Sequence, residues 1–168
     1  LAQTNVNVIK DIAPQITKYC PDATYIIVSN PVDLIAQDVW KLSGLPKSQV
    51  IGTGTALDSA RLKALLGGLV GVDPRSVHAF ALGEHGDSQT ILWSQTRAGG
   101  VLADKLLTPE QMHQIEQDTI TAGCEIALHK GSTEFGIGMA DDLRLGGGDD
   151  RIAARGVDDR LAVMGARL

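Results

Sequence analysis

Ala23-Thr24-Tyr25-Ile26-Ile27-Val28-Ser29-Asn30-Pro31-Val32-Asp33 is the stretch that decides the fold. Its first six residues form a continuous apolar, β-branched run. A strand without alternation has both faces buried, as in a parallel sheet. Ser29-Asn30-Pro31 ends the strand and opens a helix, with proline near the first helical position where its missing N–H costs nothing. That helix is predicted from Val32 to Ser43 and stops at Gly44, a residue suited to the left-handed C′ position. Upstream, Val6, Val8, Ile9, Ile12, Ala13 and Ile16 recur at helical spacing over Gln3 to Tyr19, with Pro14 as the discordant residue. This pattern is already running at Leu1, so the chain is expected to begin inside a helix. Downstream, Val50-Ile-Gly-Thr-Gly54 predicts a second short strand. Ala56 to Leu69 predicts a strong helix closed by Gly67, Gly68 and Gly71. Strand, helix, strand, helix joined by short loops is the rhythm of a parallel α/β sheet.

After Asp73-Pro74 the character changes. Val77 to Ala81 and Gln89 to Trp93 predict strands on either side of Gly83-Glu84-His85-Gly86-Asp87-Ser88. Thr108-Pro109-Glu110-Gln111 opens a long helix with threonine as N-cap, proline at N1 and glutamine completing a capping box; it is predicted to run to about Lys130 and end at Gly131. From Asp141 onward, Asp-Asp pairs at 141–142, 149–150 and 158–159 interleave with Arg144, Arg151, Arg155, Arg160 and Arg167, and Gly146-Gly147-Gly148 breaks any helix. A solvated, weakly ordered tail is expected there. The chain thus divides into residues 1–54, 55–140 and 141–168.

Composition narrows the functional classes. The 168 residues include 43% hydrophobic and 21% charged side chains, as in a soluble globular protein. A net charge of −5 without a long basic cluster argues against a nucleic-acid or anionic-membrane partner. No apolar run approaches the roughly 18 residues of a membrane span, and no signal peptide precedes the first element. Cys20 and Cys124 lack CxxC or metal-type spacing. They are expected to be buried or half-buried free thiols of a reducing, cytoplasmic setting, and no metal site is expected.

One motif misleads. Gly52-Thr53-Gly54 follows a strand and precedes a helix, as in a dinucleotide fingerprint. Leu57, however, stands where the third glycine should be, and Asp73 sits in a turn instead of at a strand end. The glycines are better read as easing entry into the following helix. No GxGxxG stands elsewhere in the chain, so a pyrophosphate cradle is not expected in it.

The chemistry gathers around His85. Its glycines admit a ligand close to the backbone, and an imidazole gains and loses a proton near neutral pH. Asp58 and Arg61, three apart at the start of a helix, share one face. An acid favouring the helix dipole beside an exposed arginine would give the same pattern. Should His85 fold back onto them, the acid would fix the imidazole tautomer, and the arginine would offer a planar fork to a carboxylate. Acid, base and anion clamp suit removal of a proton from a small hydroxy acid; an accompanying hydride transfer would require a cofactor.

Seven motifs occur in order: Ile27-Val-Ser-Asn-Pro-Val-Asp33, Trp40-Lys-Leu-Ser-Gly-Leu-Pro-Lys47, Val50-Ile-Gly-Thr-Gly54, Leu57-Asp-Ser-Ala-Arg61, Val77-His-Ala79, Gly83-Glu-His-Gly-Asp-Ser88 and Lys130-Gly-Ser-Thr-Glu-Phe-Gly-Ile-Gly138. Over about residues 1 to 140 they resemble the lactate and malate dehydrogenase superfamily, and its L-lactate branch most closely. The resemblance implies a doubly wound Rossmann-type parallel sheet followed by an α+β substrate domain, with NAD as cofactor and pyruvate/lactate as substrate. It implies His85 as acid/base, Asp58 as its partner and Arg61 as carboxylate clamp. Asn30 would contact the nicotinamide ribose and the substrate, Val28 and Ile137 would line the nicotinamide pocket, and Thr133 would line the substrate pocket. Glu84 points to lactate over malate, where Gly-Gly-His-Gly-Asp is more common. Lys63 and His78 match, with lysine for arginine, a fructose 1,6-bisphosphate site across the interface of a homotetramer.

Against the family pattern, the fingerprint and the mobile loop bearing a carbonyl-polarising arginine find no counterpart. The similarity also stops after Met139-Ala140. These departures predict an incomplete remnant lacking the NAD-binding half and inactive on its own. The tail reads like a GC-rich gene translated out of frame. A malate or other 2-hydroxy-acid dehydrogenase and a non-catalytic remnant stand as alternatives.

Overall fold

A computed structural model describes residues 2–139 and 162–164. The chain divides after Gly54 into two units.

The first unit opens with α1 (Ala2–Tyr19). Asn5, Ile9 and Ala13 are buried one helical turn apart, with Val6 and Ile16 packed beside them. Pro14 does not break the helix. It lies on the exposed face, where water can satisfy the carbonyl its ring leaves unbonded. β1 (Tyr25–Ile27) is buried at every position, and α2 (Val32–Ser43) ends on Gly44 with φ 67°. β2 (Val50–Gly52) pairs parallel with β1, Ile27 opposite Gly52. α1 and α2 pack together on a core of Ile9, Ala13, Tyr25, Ile27, Val32, Ile35 and Val39.

A third parallel strand, Ala162–Met164, pairs with the other edge of β1. The remainder of the weakly ordered tail expected over 141–168 lies outside the described residues.

The second unit begins with α3 (Ala56–Val70). The helix runs through Gly67 and Gly68, which were expected to close it, and ends at Gly71 with φ 72°. Gly67 serves packing instead: a Cβ there would lie 2.8 Å from the Val72 carbonyl. The strand expected over 77–81 is two short strands. β3 (Val77–His78) belongs to one sheet, while β4 (Ala81–Leu82) pairs antiparallel with β5 (Thr90–Ile91). β6 (Arg97–Ala98) and β7 (Val101–Leu102) join β3 in the order β3-β6-β7 and were not anticipated. Their turn is Gly99-Gly100 with φ 57° and 84°, the positive pair that a tight hairpin demands.

α4 (Pro109–Lys130) has the expected capping box between Thr108 and Gln111 and ends at Gly131. Its Ile115 joins Leu62, Leu66, Val77, Ala79, Ile91, Ala98 and Ala103 in the second core. Cys20 and Cys124 are free and exposed, not buried as expected, because neither apolar stripe includes them. No helix among the described residues is long and apolar enough to cross a membrane.

Candidate active site

Asp58 sits in the first turn of α3 with its side chain only 1% exposed. A carboxylate so placed must be matched by donors, since burial without partners is costly. Among the described residues, two donors reach it. His85 Nδ1 lies 2.6 Å from Asp58 Oδ2, and Arg61 Nη1 lies 3.5 Å from Oδ1. An ionised carboxylate only accepts hydrogen bonds, so Nδ1 carries the hydrogen and Nε2 is left with its lone pair. The His85 side chain is 28% exposed and that of Arg61 15% exposed, so both can meet a small ligand.

Arg61 touches Asp58 only at the limit of a hydrogen bond, leaving most of its five-donor fork uncommitted to the acid. Its guanidinium lies against Gly123 of α4, where a Cβ would be 3.3 Å from Nη1.

The loop bearing His85 is braced from within. Gly83 turns it with φ 94°, the Ser88 hydroxyl donates to Glu84 Oε2 at 2.8 Å, and the Gln89 N–H donates to the Gly86 carbonyl at 3.2 Å. Residues 135–139 are helical, and a Cβ on Gly136 would lie 3.2 Å from Cδ1 of Leu57, the residue before Asp58. Ile137 in this segment is half-buried, and Thr133 just before it is exposed.

Val28 and Asn30 belong to the first unit, following β1 at its C-terminal end. Val28 is half-buried and Asn30 exposed. The Asn30 carbonyl accepts a 2.7 Å hydrogen bond from Asn5 Nδ2. Asn5 was not singled out from the sequence. Its only signal is a polar residue at a core position of the α1 stripe, which a search for apolar periodicity passes over.

Lys63 and His78 stand apart from the Asp58 pair. Lys63 Nζ lies 5.6 Å from the Phe80 ring centroid, and exposed His78 faces Arg97 across β3 and β6. Among the described residues no cluster of His, Cys, Asp or Glu could hold a metal ion.

A parallel βαβ unit is followed by an α+β unit that sets a histidine on a buried carboxylate with an arginine fork alongside, an arrangement of the class able to move a proton beside a small anion. Comparison with known proteins is specific. Residues 1–52 match the family model of the lactate/malate dehydrogenase NAD binding domain, and residues 55–142 that of its alpha/beta C-terminal domain. The chain is 44% identical over 147 residues to the L-lactate dehydrogenase B chain of Mus musculus, covering 83% of this chain and 44% of that one. To L-lactate dehydrogenase 3 of Bacillus cereus it is 47% identical over 124 residues, covering 70% and 39%. A solved L-lactate dehydrogenase from Clostridium thermocellum superposes with a TM-score of 0.75 at 42% identity, covering 83% of this chain and 47% of that one. The chain belongs to the lactate/malate dehydrogenase family.

The expectation of a remnant lacking the NAD-binding half is therefore corrected. α1, β1, α2 and β2 are themselves NAD-binding-domain sequence, and the alpha/beta C-terminal domain follows at residue 55. That expectation took residues 1–54 as only the C-terminal part of the domain because the glycine fingerprint is missing, whereas this βαβ layer forms from its own apolar pattern and matches the domain model over residues 1–52. The chain spans less than half the length of these relatives, 44% and 39% of the two curated proteins.

Proposed function

We propose that this protein is an NAD-dependent L-2-hydroxy-acid dehydrogenase that interconverts pyruvate and L-lactate. The observation that carries this reading is the 2.6 Å pairing of His85 with buried Asp58, with Arg61 on the same helix. In lactate oxidation, His85 Nε2 accepts the hydroxyl proton, and Asp58 steadies the positive charge the ring acquires. In pyruvate reduction the same nitrogen returns the proton to the carbonyl oxygen. Arg61 holds the substrate carboxylate through two parallel N–H bonds. Bound NAD supplies the hydride acceptor that no side chain can be.

The residues present fit the nicotinamide end of that cofactor. Asn30 and Val28 follow β1 at the carboxyl end of the parallel strands, the side on which such sheets bind ligands. Asn5 Oδ1, on the side chain that anchors the Asn30 carbonyl, is buried with no hydrogen-bond partner among the described residues. Ile137 lining the nicotinamide pocket and Thr133 lining the substrate pocket complete the assignment, and a cytoplasmic location goes with it. Glu84 and the lactate dehydrogenases among the relatives support pyruvate over oxaloacetate. Lys63 and His78 are assigned to fructose 1,6-bisphosphate in a homotetramer, where a sugar bearing two phosphates would gather facing basic groups.

The test is loss of NADH absorbance with pyruvate or oxaloacetate as substrate. Turnover with pyruvate, reduced about 10²–10⁴-fold by His85→Asn with NADH binding kept, is the expected result. Faster turnover with oxaloacetate would make it a malate dehydrogenase, and none with either would overturn the reading. Activation by fructose 1,6-bisphosphate that survives Lys63→Ala and His78→Ala would remove the regulatory assignment.

A further inference from the structure

Thr55 is the N-cap residue of α3, yet its side chain makes no capping bond. A threonine there ordinarily accepts from the backbone N–H groups of the first helical turn. Its hydroxyl instead donates to the Ala81 carbonyl at 2.6 Å. One turn on, the Ser59 hydroxyl donates to the Thr55 carbonyl at 2.8 Å and accepts from the Ala81 N–H at 3.0 Å. Both backbone groups of Ala81 are thus taken by side chains of α3 and its N-cap residue. Among the described residues β4 has a sheet partner only on its β5 side, where the neighbouring Phe80 carbonyl accepts from the Leu92 N–H at 3.0 Å. The open edge of the hairpin is closed by two hydroxyls.

The placement of this clasp is what gives it a functional meaning. Ser59 adjoins Asp58 on the helix, and Ala81 lies four residues before His85 on the strand that leads into its loop. Acid and base come from segments 27 residues apart, yet approach to 2.6 Å. A hydrogen bond that short tolerates little drift between the elements that carry its ends. The clasp ties the root of this braced loop to α3.

We propose that Thr55 and Ser59 are positioning residues, whose hydroxyls fix β4 against α3 and thereby set the His85–Asp58 distance. Its catalytic consequence rests on the dehydrogenase reading; its geometric consequence does not. The test therefore has two readouts. In the ¹⁵N-labelled chain, the Nδ1–H of His85, held by a carboxylate in a short charge-assisted bond, gives a far-downfield proton resonance, identified by its loss in His85→Asn. Ser59→Ala and Thr55→Val are each expected to shift it upfield or broaden it through exchange with water. Ser59→Thr keeps it, because threonine retains a hydroxyl that can bond back to the preceding turn. Turnover of pyruvate is expected to fall roughly 10- to 100-fold in the two deletions, with the KM for NADH unchanged, since misplacement on the ångström scale has effects of that order. Two variants probe the clasp from opposite sides, so if Ser59→Ala does not fold, Thr55→Val decides. A resonance unmoved in a folded deletion variant overturns the proposal. A resonance that responds in a chain without pyruvate turnover keeps the positioning role and sinks the dehydrogenase reading.

Discussion

Replacing Asp58 by asparagine isolates what the buried acid does. The exchange removes one negative charge where the side chain is 1% exposed, so water cannot take its place, and where the imidazole nitrogen is 2.6 Å away. When His85 takes a proton, the ring and carboxylate charges lie about 4 Å apart, and at an effective dielectric near 20 their attraction is about 4 kcal/mol. An amide retains little of it. Lost from the transition state, that energy corresponds to roughly a 10³-fold fall in turnover. Asparagine can also turn its NH₂ toward Nδ1, which forces the ring hydrogen onto Nε2, the atom that must accept the substrate proton. Turnover in lactate oxidation, NADH affinity by fluorescence and stability by denaturant melting should be measured together. The expected result is a turnover lower by about three decades, unchanged NADH affinity, and a stability loss of about 0.3–1 kcal/mol from the missing acid at the start of α3. A variant that loses only this stability and keeps its turnover would make Asp58 a helix-start acid and nothing more.

Other perturbations test separate parts of the argument. Arg61→Lys keeps the charge but not the planar fork, so the KM for pyruvate should rise and turnover fall; an unchanged KM would release Arg61 from the clamp role. Gly67→Ala should destabilise the chain, because its Cβ would meet the Val72 carbonyl at 2.8 Å. Overpacking of this kind costs about 1–3 kcal/mol. Gly68→Ala, which meets nothing within 4 Å, should gain about 0.5–1 kcal/mol of helix stability, and equal melting temperatures for the pair would refute the packing argument.

The Arg75 guanidinium, followed by the Arg75 backbone N–H, holds the exposed Asp73 carboxyl below its usual range. A folded-state value below the unfolded one gives a contribution that is present above the unfolded carboxylate range and lost as pH falls through the folded value. Arg75→Gln should move the Asp73 titration upward when followed by carboxyl carbon NMR. An unmoved titration would show that the ion pair does not form in solution.

The elements whose information is local were readable in the sequence. The β-branched run, Pro31 and Gly44 delimit β1 and α2, and Thr108, Gln111 and Gly131 bound α4, because each acts on its own backbone within a turn. The paired glycines of the Gly99-Gly100 hairpin carry an equally local signal. Gly67 and Gly68 misled for the opposite reason. As local symbols they end helices, but whether a Cβ is tolerated at Gly67 is decided by the Val72 carbonyl beyond the helix, in contact only after folding.

The candidate site divides in the same way. Residue type and spacing placed Asp58 and Arg61 on one helical face and marked His85 as the titratable partner. Periodicity carries no information about approach across 27 residues, so the 2.6 Å contact is a product of the tertiary fold. The hydroxyls of Thr55 and Ser59 are the clearest case. In sequence they are an ordinary N-cap and an ordinary helix serine, and only the edge of β4 arriving beside them turns both toward Ala81, because a strand edge at that place needs a donor and an acceptor that no strand supplies.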